Sequence, residues 1–305
     1  MERCFRRYKL ANPDLQQNGA SSSISDQTTL SPADEIGRRA KSTSLNKLSI
    51  SPGEVHVWWL FPDDVQHAGL LAKYEELLTA EEHSHMMAAT TPELRKERLL
   101  ARVLVRTTLS RYCDDKTLPQ SLTFSRNHAG KPQLLWDEDA GEASLHGLQF
   151  NLSHTASLLG CAVTSGKLVG LDVEVSNRHT RGNPLRLARR RFSAAELASL
   201  EECAEGEERA QHFVRLWTLK EAYVKAVGRG IGARPGLSAF SVSLHPRSTG
   251  VASQLREAEG PQPHEITFAA PESEEDAWDF MLFSPSPQHT AALCVQQGPA
   301  MATLF

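Results

Sequence analysis

The segment Val169-Gly170-Leu171-Asp172-Val173-Glu174-Val175 alternates in a way that has chemical consequences. In an extended strand, successive side chains point to opposite faces. Val169, Leu171, Val173 and Val175 therefore share a core face, and Gly170, Asp172 and Glu174 share the other. Two carboxylates about 7 Å apart on one strand face repel each other unless a cation lies between them. An all-oxygen donor set suits a hard ion such as magnesium. The same pattern also describes a half-exposed strand with acids on its wet side, so the pair needs partners before it makes a site.

A partner is offered by Phe213-Val214-Arg215-Leu216-Trp217-Thr218-Leu219-Lys220-Glu221-Ala222-Tyr223-Val224-Lys225. At helical spacing Phe213, Leu216, Trp217, the stem of Lys220, Tyr223, Val224 and Val227 form a buried stripe. Glu221 and Lys225 lie four apart and stack on a neighbouring face. One reading is an ordinary surface ion pair. The other makes Glu221 a third oxygen ligand or a general base, and Lys225 a phosphate contact. Magnesium commonly keeps waters and substrate phosphate oxygens in its shell, so one more carboxylate beside Asp172 and Glu174 suits it.

Two further segments could hold anions. Phe150-Asn151-Leu152-Ser153-His154 reads as a tight turn whose backbone N–H groups face an anion, with His154 as a further donor. The alternative is a plain turn carrying a surface histidine. In Gly130-Lys131-Pro132, the glycine allows a sharp approach and the proline fixes the exit. Lys131 is then a point charge suited to phosphate. Arg95, Lys96, Arg98, Arg102 and Arg106 add positive charge along one predicted helix, a pattern that also fits a solvated face. Gly228, Gly230 and Gly232 follow a helix rather than a strand, so they read as a helix stop and not as a nucleotide loop. His83 and His85 are two apart and lack a third metal ligand.

The elements that must position these groups mix without a regular βαβ rhythm, which favours an α+β fold over a doubly wound sheet. A strand is expected at His56–Leu60. A helix capped by Thr91, with Pro92 in its first turn, runs toward Cys113. A short strand at Leu122–Phe124 leads into a turn through His128–Gly130. Leu158–Val163 and Leu168–Val175 read as strands joined by a hairpin turn at Gly166-Lys167. Pro184 to about Arg191 is basic and helical, and Ser193 with Glu196 forms a capping box. A long helix spans about Glu207–Val227. Strands follow near Ala239–Leu244, Trp278–Phe283 and Ala291–Val295, and the acidic, Pro-rich stretch from about Glu257 to Asp276 contains loops.

At 305 residues and 40% hydrophobic content, the chain can fill one large domain or two fused halves. A formal net charge of -4 gives no general basic field for nucleic acid. The five cysteines include no C-x-x-C pair, which argues against a disulfide framework or zinc and for a reducing compartment. No apolar run approaches the roughly 20 residues of a membrane span, and no secretory hydrophobic region opens the sequence. Residues 1–51 begin with Arg3, Arg6, Arg7 and Lys9 and continue through a Ser/Thr/Gln/Asn-rich tract. That segment is expected to be disordered. Organellar targeting is its alternative reading, opposed by Glu2, Asp14, Asp26, Asp34 and Glu35. The cytosol is the expected compartment, with mitochondrion or plastid as the alternative.

Taken together and in this order, the motifs resemble the 4'-phosphopantetheinyl transferase family in its long, single-chain class. The resemblance runs through Gly130-Lys131-Pro132, Asn151-Leu152-Ser153-His154, Gly170-Leu171-Asp172-Val173-Glu174, Arg191-Phe192-Ser193 with Glu196, and Trp217 to Lys225. It covers about residues 54–296, and its wording looks nearest to plant members. It implies two similar α+β halves with pseudo-twofold symmetry, 52–165 and 166–299, with coenzyme A between them and a monomeric chain. It implies transfer of the 4'-phosphopantetheine arm of coenzyme A to a serine of apo acyl-carrier protein, a holo-acyl-carrier-protein synthase activity of fatty acid biosynthesis that releases adenosine 3',5'-bisphosphate. Asp172, Glu174 and Glu221 would then hold magnesium, with Glu221 as base and Lys225 on the pyrophosphate. Lys131, Ser153 and His154 would grip the nucleotide end. The stretch Thr79–His85 is acidic and histidine-rich where family members carry basic residues, and Arg98, or Arg95 and Lys96, would substitute. The competing readings are a metal-dependent nuclease and a non-catalytic carrier-binding module. The negative charge weighs against the first, and the joint presence of Asp172, Glu174, Glu221 and Lys225 against the second.

Overall fold

The structure is a computed structural model that describes the backbone of residues 5–11 and residues 47–113, 117–135, 147–177, 184–230, 236–246, 264–270 and 277–297. Its first part contains β1 (Phe5–Ala11), β2 (Glu54–Leu60), α1 (Ala68–Glu75), α2 (Ala80–Met87), α3 (Pro92–Ser110), β3 (Thr123–Arg126), β4 (Pro132–Leu135), β5 (Leu148–His154) and β6 (Leu159–Ser165). Its second part contains β7 (Val169–Val175), α4 (Pro184–Arg191), α5 (Ala194–Glu202), α6 (Glu207–Val227), β8 (Ser241–Pro246), β9 (His264–Ala269), β10 (Trp278–Ser286) and β11 (His289–Gln296). Helices and antiparallel sheets are mixed, and the fold is α+β.

Four layers follow from how the apolar residues alternate. One sheet has the order β1-β2-β6-β5, and a second has the order β10-β11-β7. On one face of the first sheet, Trp58, Leu60, Phe150 and Val163 pack with Leu100, Val103 and Leu104 of α3. On its other face Val55, Val57 and Trp59 meet Val169, Leu171, Val173, Ala291 and Leu293 of the second sheet. The far side of the second sheet carries α6, where Ala222, Tyr223 and Ala226 pack against Ala292 and Cys294. The layers thus run helix, sheet, sheet, helix. Gly170 permits the last contact: a Cβ there would lie 1.9 Å from the carbonyl oxygen of Ala222.

Local signals explain the helix ends. The Thr91 hydroxyl accepts from Leu94 N–H at 3.2 Å, with Pro92 in the first turn. Ser193 and Glu196 form the capping box of α5. Gly228 ends α6 with a left-handed φ of 71°.

Several expectations are corrected. Residues 5–11 are not without structure: they form β1, an antiparallel edge strand on β2. The remainder of the segment through residue 46 lies outside the described residues. Asn151–His154 is not a turn but the end of β5. Asn151 and Ser153 are buried and bonded there, which hides the strand's period of two. Gly166-Lys167 does not close a hairpin, because β6 and β7 belong to different sheets. The Glu257–Asp276 stretch contains β9, whose Ile266 and Phe268 pack on the α6 cluster. The buried surface of α6 is also wider than a stripe, since residues 218–223 are all buried.

Candidate active site

β7 and α6 meet face to face, and the acids of β7 lie on the covered side. Asp172 is 5% exposed, so the wet-face reading of this strand does not hold. Glu174, two residues on, is half-buried. Glu221 of α6 is also 5% exposed. Lys225, one turn further along α6, places its ammonium 2.7 Å from Oδ1 of Asp172.

β5 completes the group from the other sheet. The Ser153 hydroxyl donates to Asp172 Oδ1 at 3.1 Å and accepts from Lys225 Nζ at 2.9 Å and from Val173 N–H at 3.1 Å. That uses its one donor and both lone pairs. Asn151, two residues earlier, accepts from Leu171 N–H at 2.9 Å. No ladder joins β5 to β7. The side chains of Asn151 and Ser153 take up backbone N–H groups of β7 in its place.

The electrostatics are uneven. Asp172 Oδ2 and Glu221 Oε1 are buried without a hydrogen-bond partner. Burial pushes the Asp172 carboxyl up, and Lys225, Ser153 and the Val173 N–H pull it back down. The Glu221 carboxyl is pushed up to about 7, first by burial and then by the Asp172 charge; Lys225 opposes this, Glu174 adds to it, and Arg191 opposes it. Two orphaned carboxylate oxygens with raised affinity for positive charge, and no nitrogen or sulfur donor beside them, fit a hard divalent cation that keeps water and phosphate oxygens in its shell. Among the described residues, no three His, Cys, Asp or Glu side chains form a complete metal-binding group. The three-carboxylate shell is therefore not preassembled. Asp172 and Glu221 present the orphaned oxygens, and Glu174 is felt by Glu221 as charge.

The other residues expected at the site are placed as follows. Lys225 pairs with Asp172, and not with Glu221 as the ordinary ion-pair reading would have it. Lys131 donates to the carbonyls of Ala226 at 2.7 Å and Val169 at 3.2 Å. His154 Nδ1 lies 2.9 Å from Glu97 Oε1 on α3. Arg98 donates to the carbonyl of His85 at 2.5 Å. Asp172, Glu221, Lys225 and Ser153 are thus brought together, Lys131 stands at the end of α6, Arg98 lies on α3 itself, and His154 lies beside Glu97 of α3.

A second polar centre supports α6 from beneath. Lys220 and Glu196 side chains are both 0% exposed, and Lys220 Nζ lies 2.7 Å from Glu196 Oε1. Lys220 also donates to Phe240 O at 2.7 Å, and Glu196 accepts from the N–H groups of Val242 and Ser193. The signal was present in the sequence: a lysine on a buried stripe requires an anionic partner, and a capping-box glutamate has a second oxygen to offer.

Comparison with known proteins bears on this arrangement. A model described as 4'-phosphopantetheinyl transferase, N-terminal, matches residues 67–166, and one described as the 4'-phosphopantetheinyl transferase superfamily matches residues 168–280. The 4'-phosphopantetheinyl transferase Sfp of Bacillus subtilis is 32% identical over 181 residues, covering 55% of this chain and 72% of that relative. The 4'-phosphopantetheinyl transferase HetI of Nostoc is 31% identical over 199 residues, 65% of this chain and 78% of the relative. This chain belongs to the 4'-phosphopantetheinyl transferase family. A Synechocystis protein provisionally named a 4'-phosphopantetheinyl transferase is 34% identical over 175 residues, covering 57% of this chain and 65% of its own length, just under two thirds. In this 4'-phosphopantetheinyl transferase family member, the two matched segments meet at the β6–β7 turn. Asp172, Glu221 and Lys225 come from the second segment, and Ser153 and Lys131 from the first.

Proposed function

We propose that the protein transfers the 4'-phosphopantetheine arm of coenzyme A to a serine of an apo acyl-carrier protein, with magnesium, and releases adenosine 3',5'-bisphosphate. The observation that carries this reading is the Asp172–Lys225–Ser153 hydrogen-bonded group beside Glu221, with one orphaned oxygen on each acid, in a chain of this family.

The reaction forms a bond from the serine oxygen to the phosphorus that bears the pantetheine arm. It breaks the bond from that phosphorus to the bridging pyrophosphate oxygen, which departs with the adenosine bisphosphate. Glu221 is the residue we assign to take the serine proton. Without a bound cation, burial and the Asp172 charge raise its carboxyl to about 7, so it takes up a proton more readily than an ordinary glutamate. Lys225, held in place by Asp172 and Ser153, offers a fixed positive charge to the pyrophosphate. Asp172 and Glu221, with Glu174 nearby, would hold the magnesium. When bound, it would supply Lewis acidity toward phosphate oxygens and orient them. Cytosolic, monomeric action in fatty acid biosynthesis is part of the same proposal. The free thiols of Cys113, Cys161, Cys203 and Cys294 support a reducing compartment.

The test is incubation with coenzyme A, magnesium and an apo acyl-carrier protein, read by intact mass. The carrier is expected to gain about 340 Da, the mass of the phosphoester-linked arm. No gain on any carrier, together with cleavage of DNA under the same conditions, would overturn the proposal in favour of a nuclease.

A further inference from the structure

The turn Asn127–Lys131, between β3 and β4, belongs to the first matched segment, yet its polar atoms close on the end of α6 in the second. Asn127 Oδ1 accepts from the N–H groups of Ala129 at 3.0 Å and Lys131 at 2.8 Å, which holds the turn. Its Nδ2 donates to the carbonyl of Gly228 at 3.2 Å. The Lys131 ammonium donates to the carbonyls of Ala226 and Val169. A Cβ on Gly228 would lie 2.8 Å from the Lys131 side chain and 2.9 Å from Asn127 Nδ2, so the two segments are in direct contact there.

The last carbonyls of a helix have no partner within it and carry the negative end of its dipole. Here Ala226 and Gly228 receive their donors from a turn about a hundred positions earlier in sequence. Lys225 immediately precedes Ala226. Two of the three ammonium N–H donors of Lys131 are thus committed to backbone carbonyls, one of them at the end of α6.

We propose that Lys131 is a positioning residue. It caps α6 from the other segment and fixes the turn that carries Lys225 over Asp172, rather than gripping the nucleotide. Its pKa is lowered to about 8 by burial, so the cap is charged at neutral pH. The activity readout of the test rests on the proposed transferase reaction; the structural readout does not.

The test compares Lys131→Met and Asn127→Asp with the wild-type chain. Asn127→Asp keeps the acceptor that holds the turn and replaces the donor to Gly228 with a charged oxygen facing the same carbonyl, so it carries the test alone if Lys131→Met does not fold. Hydrogen–deuterium exchange is followed in peptides covering residues 219–228. Transfer is measured with coenzyme A and with 3'-dephospho-coenzyme A as donors. Both variants are expected to exchange faster in that segment and to lose kcat by roughly tenfold or more, as misplacement near a reacting centre does. The ratio of kcat/KM for the two donors is expected to stay at its wild-type value. Unchanged exchange in both variants overturns the proposal, as does a Lys131→Met variant that loses activity with coenzyme A alone. If the wild-type chain transfers from neither donor while the variants still exchange faster, the cap stands and the transferase reading falls.

Discussion

The ammonium of Lys225 reaches past Glu221, one turn earlier on its own helix, to Oδ1 of Asp172 at 2.7 Å. That choice leaves Glu221 Oε1 and Asp172 Oδ2 as the two unpartnered oxygens, and it divides the work of neutralising the acids between a built-in cation and one that must come from outside. Lys225→Ala removes the built-in cation and leaves Asp172 as a buried acid held by Ser153 and a backbone N–H. We expect a loss of about 1–3 kcal/mol in stability, at the low end because Lys225 is partly exposed. Urea denaturation with and without magnesium checks this, and magnesium is expected to restore part of the loss. Asp172→Ala is expected to abolish transfer while preserving the fold. Near-wild-type turnover in that variant would refute its assignment as a magnesium ligand.

Glu221 should make stability depend on pH. Its folded pKa is raised to about 7 from an ordinary 4.5, so the folded state holds the proton more tightly than the unfolded chain. The resulting stability is complete below the unfolded value and is lost as pH rises through about 7, a change of roughly 3 kcal/mol at most. Without divalent ions, the melting temperature is therefore expected to fall between about pH 5 and pH 7 and level off above that, and Glu221→Gln should flatten that decline. Magnesium should raise the melting temperature more at pH 8 than at pH 6. An equal effect at the two pH values would argue against Glu221 as a ligand.

Lys220 and Glu196 are fully buried and pair at 2.7 Å beneath the same helix. Lys220→Met strands a buried carboxylate and is expected to cost about 3–5 kcal/mol. Adding Glu196→Gln to Lys220→Met should recover part of that, because the uncompensated charge is gone. Strict additivity of the two changes in a double-mutant cycle would show that the pair is not coupled.

Gly170→Ala puts a methyl group 1.9 Å from the Ala222 carbonyl oxygen and 2.4 Å from the Ala226 nitrogen, both backbone atoms of α6. The helix must lift, taking Glu221 and Lys225 with it. Destabilisation of at least about 3 kcal/mol and loss of transfer are expected. Gly236→Ala is the control: nothing lies within 4 Å of its new methyl group, and its effect should stay within about 0.5 kcal/mol.

Much of the site could be read in the sequence, and the failures share a cause. β7 and α6 follow from alternation and helical spacing, and both capping devices, at Thr91 and at Ser193 with Glu196, follow from local chemistry. Gly170, Asp172 and Glu174 share a face as expected, but local pattern does not say what covers that face. The answer, α6, is a tertiary fact. Asn151 and Ser153 look like turn residues because polar side chains rarely line a strand's buried face; they are tolerated here because β7 supplies donors some 20 positions away. Lys225 has an acid at a helical neighbour's distance, yet it takes the acid on the facing strand. β9 is short, and its two inward residues, Ile266 and Phe268, are too few to stand out as a period of two.

Among the described residues, the strand that carries Asp172 has one ladder neighbour, β11, which is also the last strand in sequence. As the chain leaves the ribosome, β7 emerges more than a hundred residues before the strand that will hold it. Through that interval its edge is open, although α6, which covers its acids, is made within it. The ladder that holds the strand is thus among the last to be completed, although every residue of the site is made before it. A lesion confined to His289–Gln296 would disable the site without touching any group that acts in it.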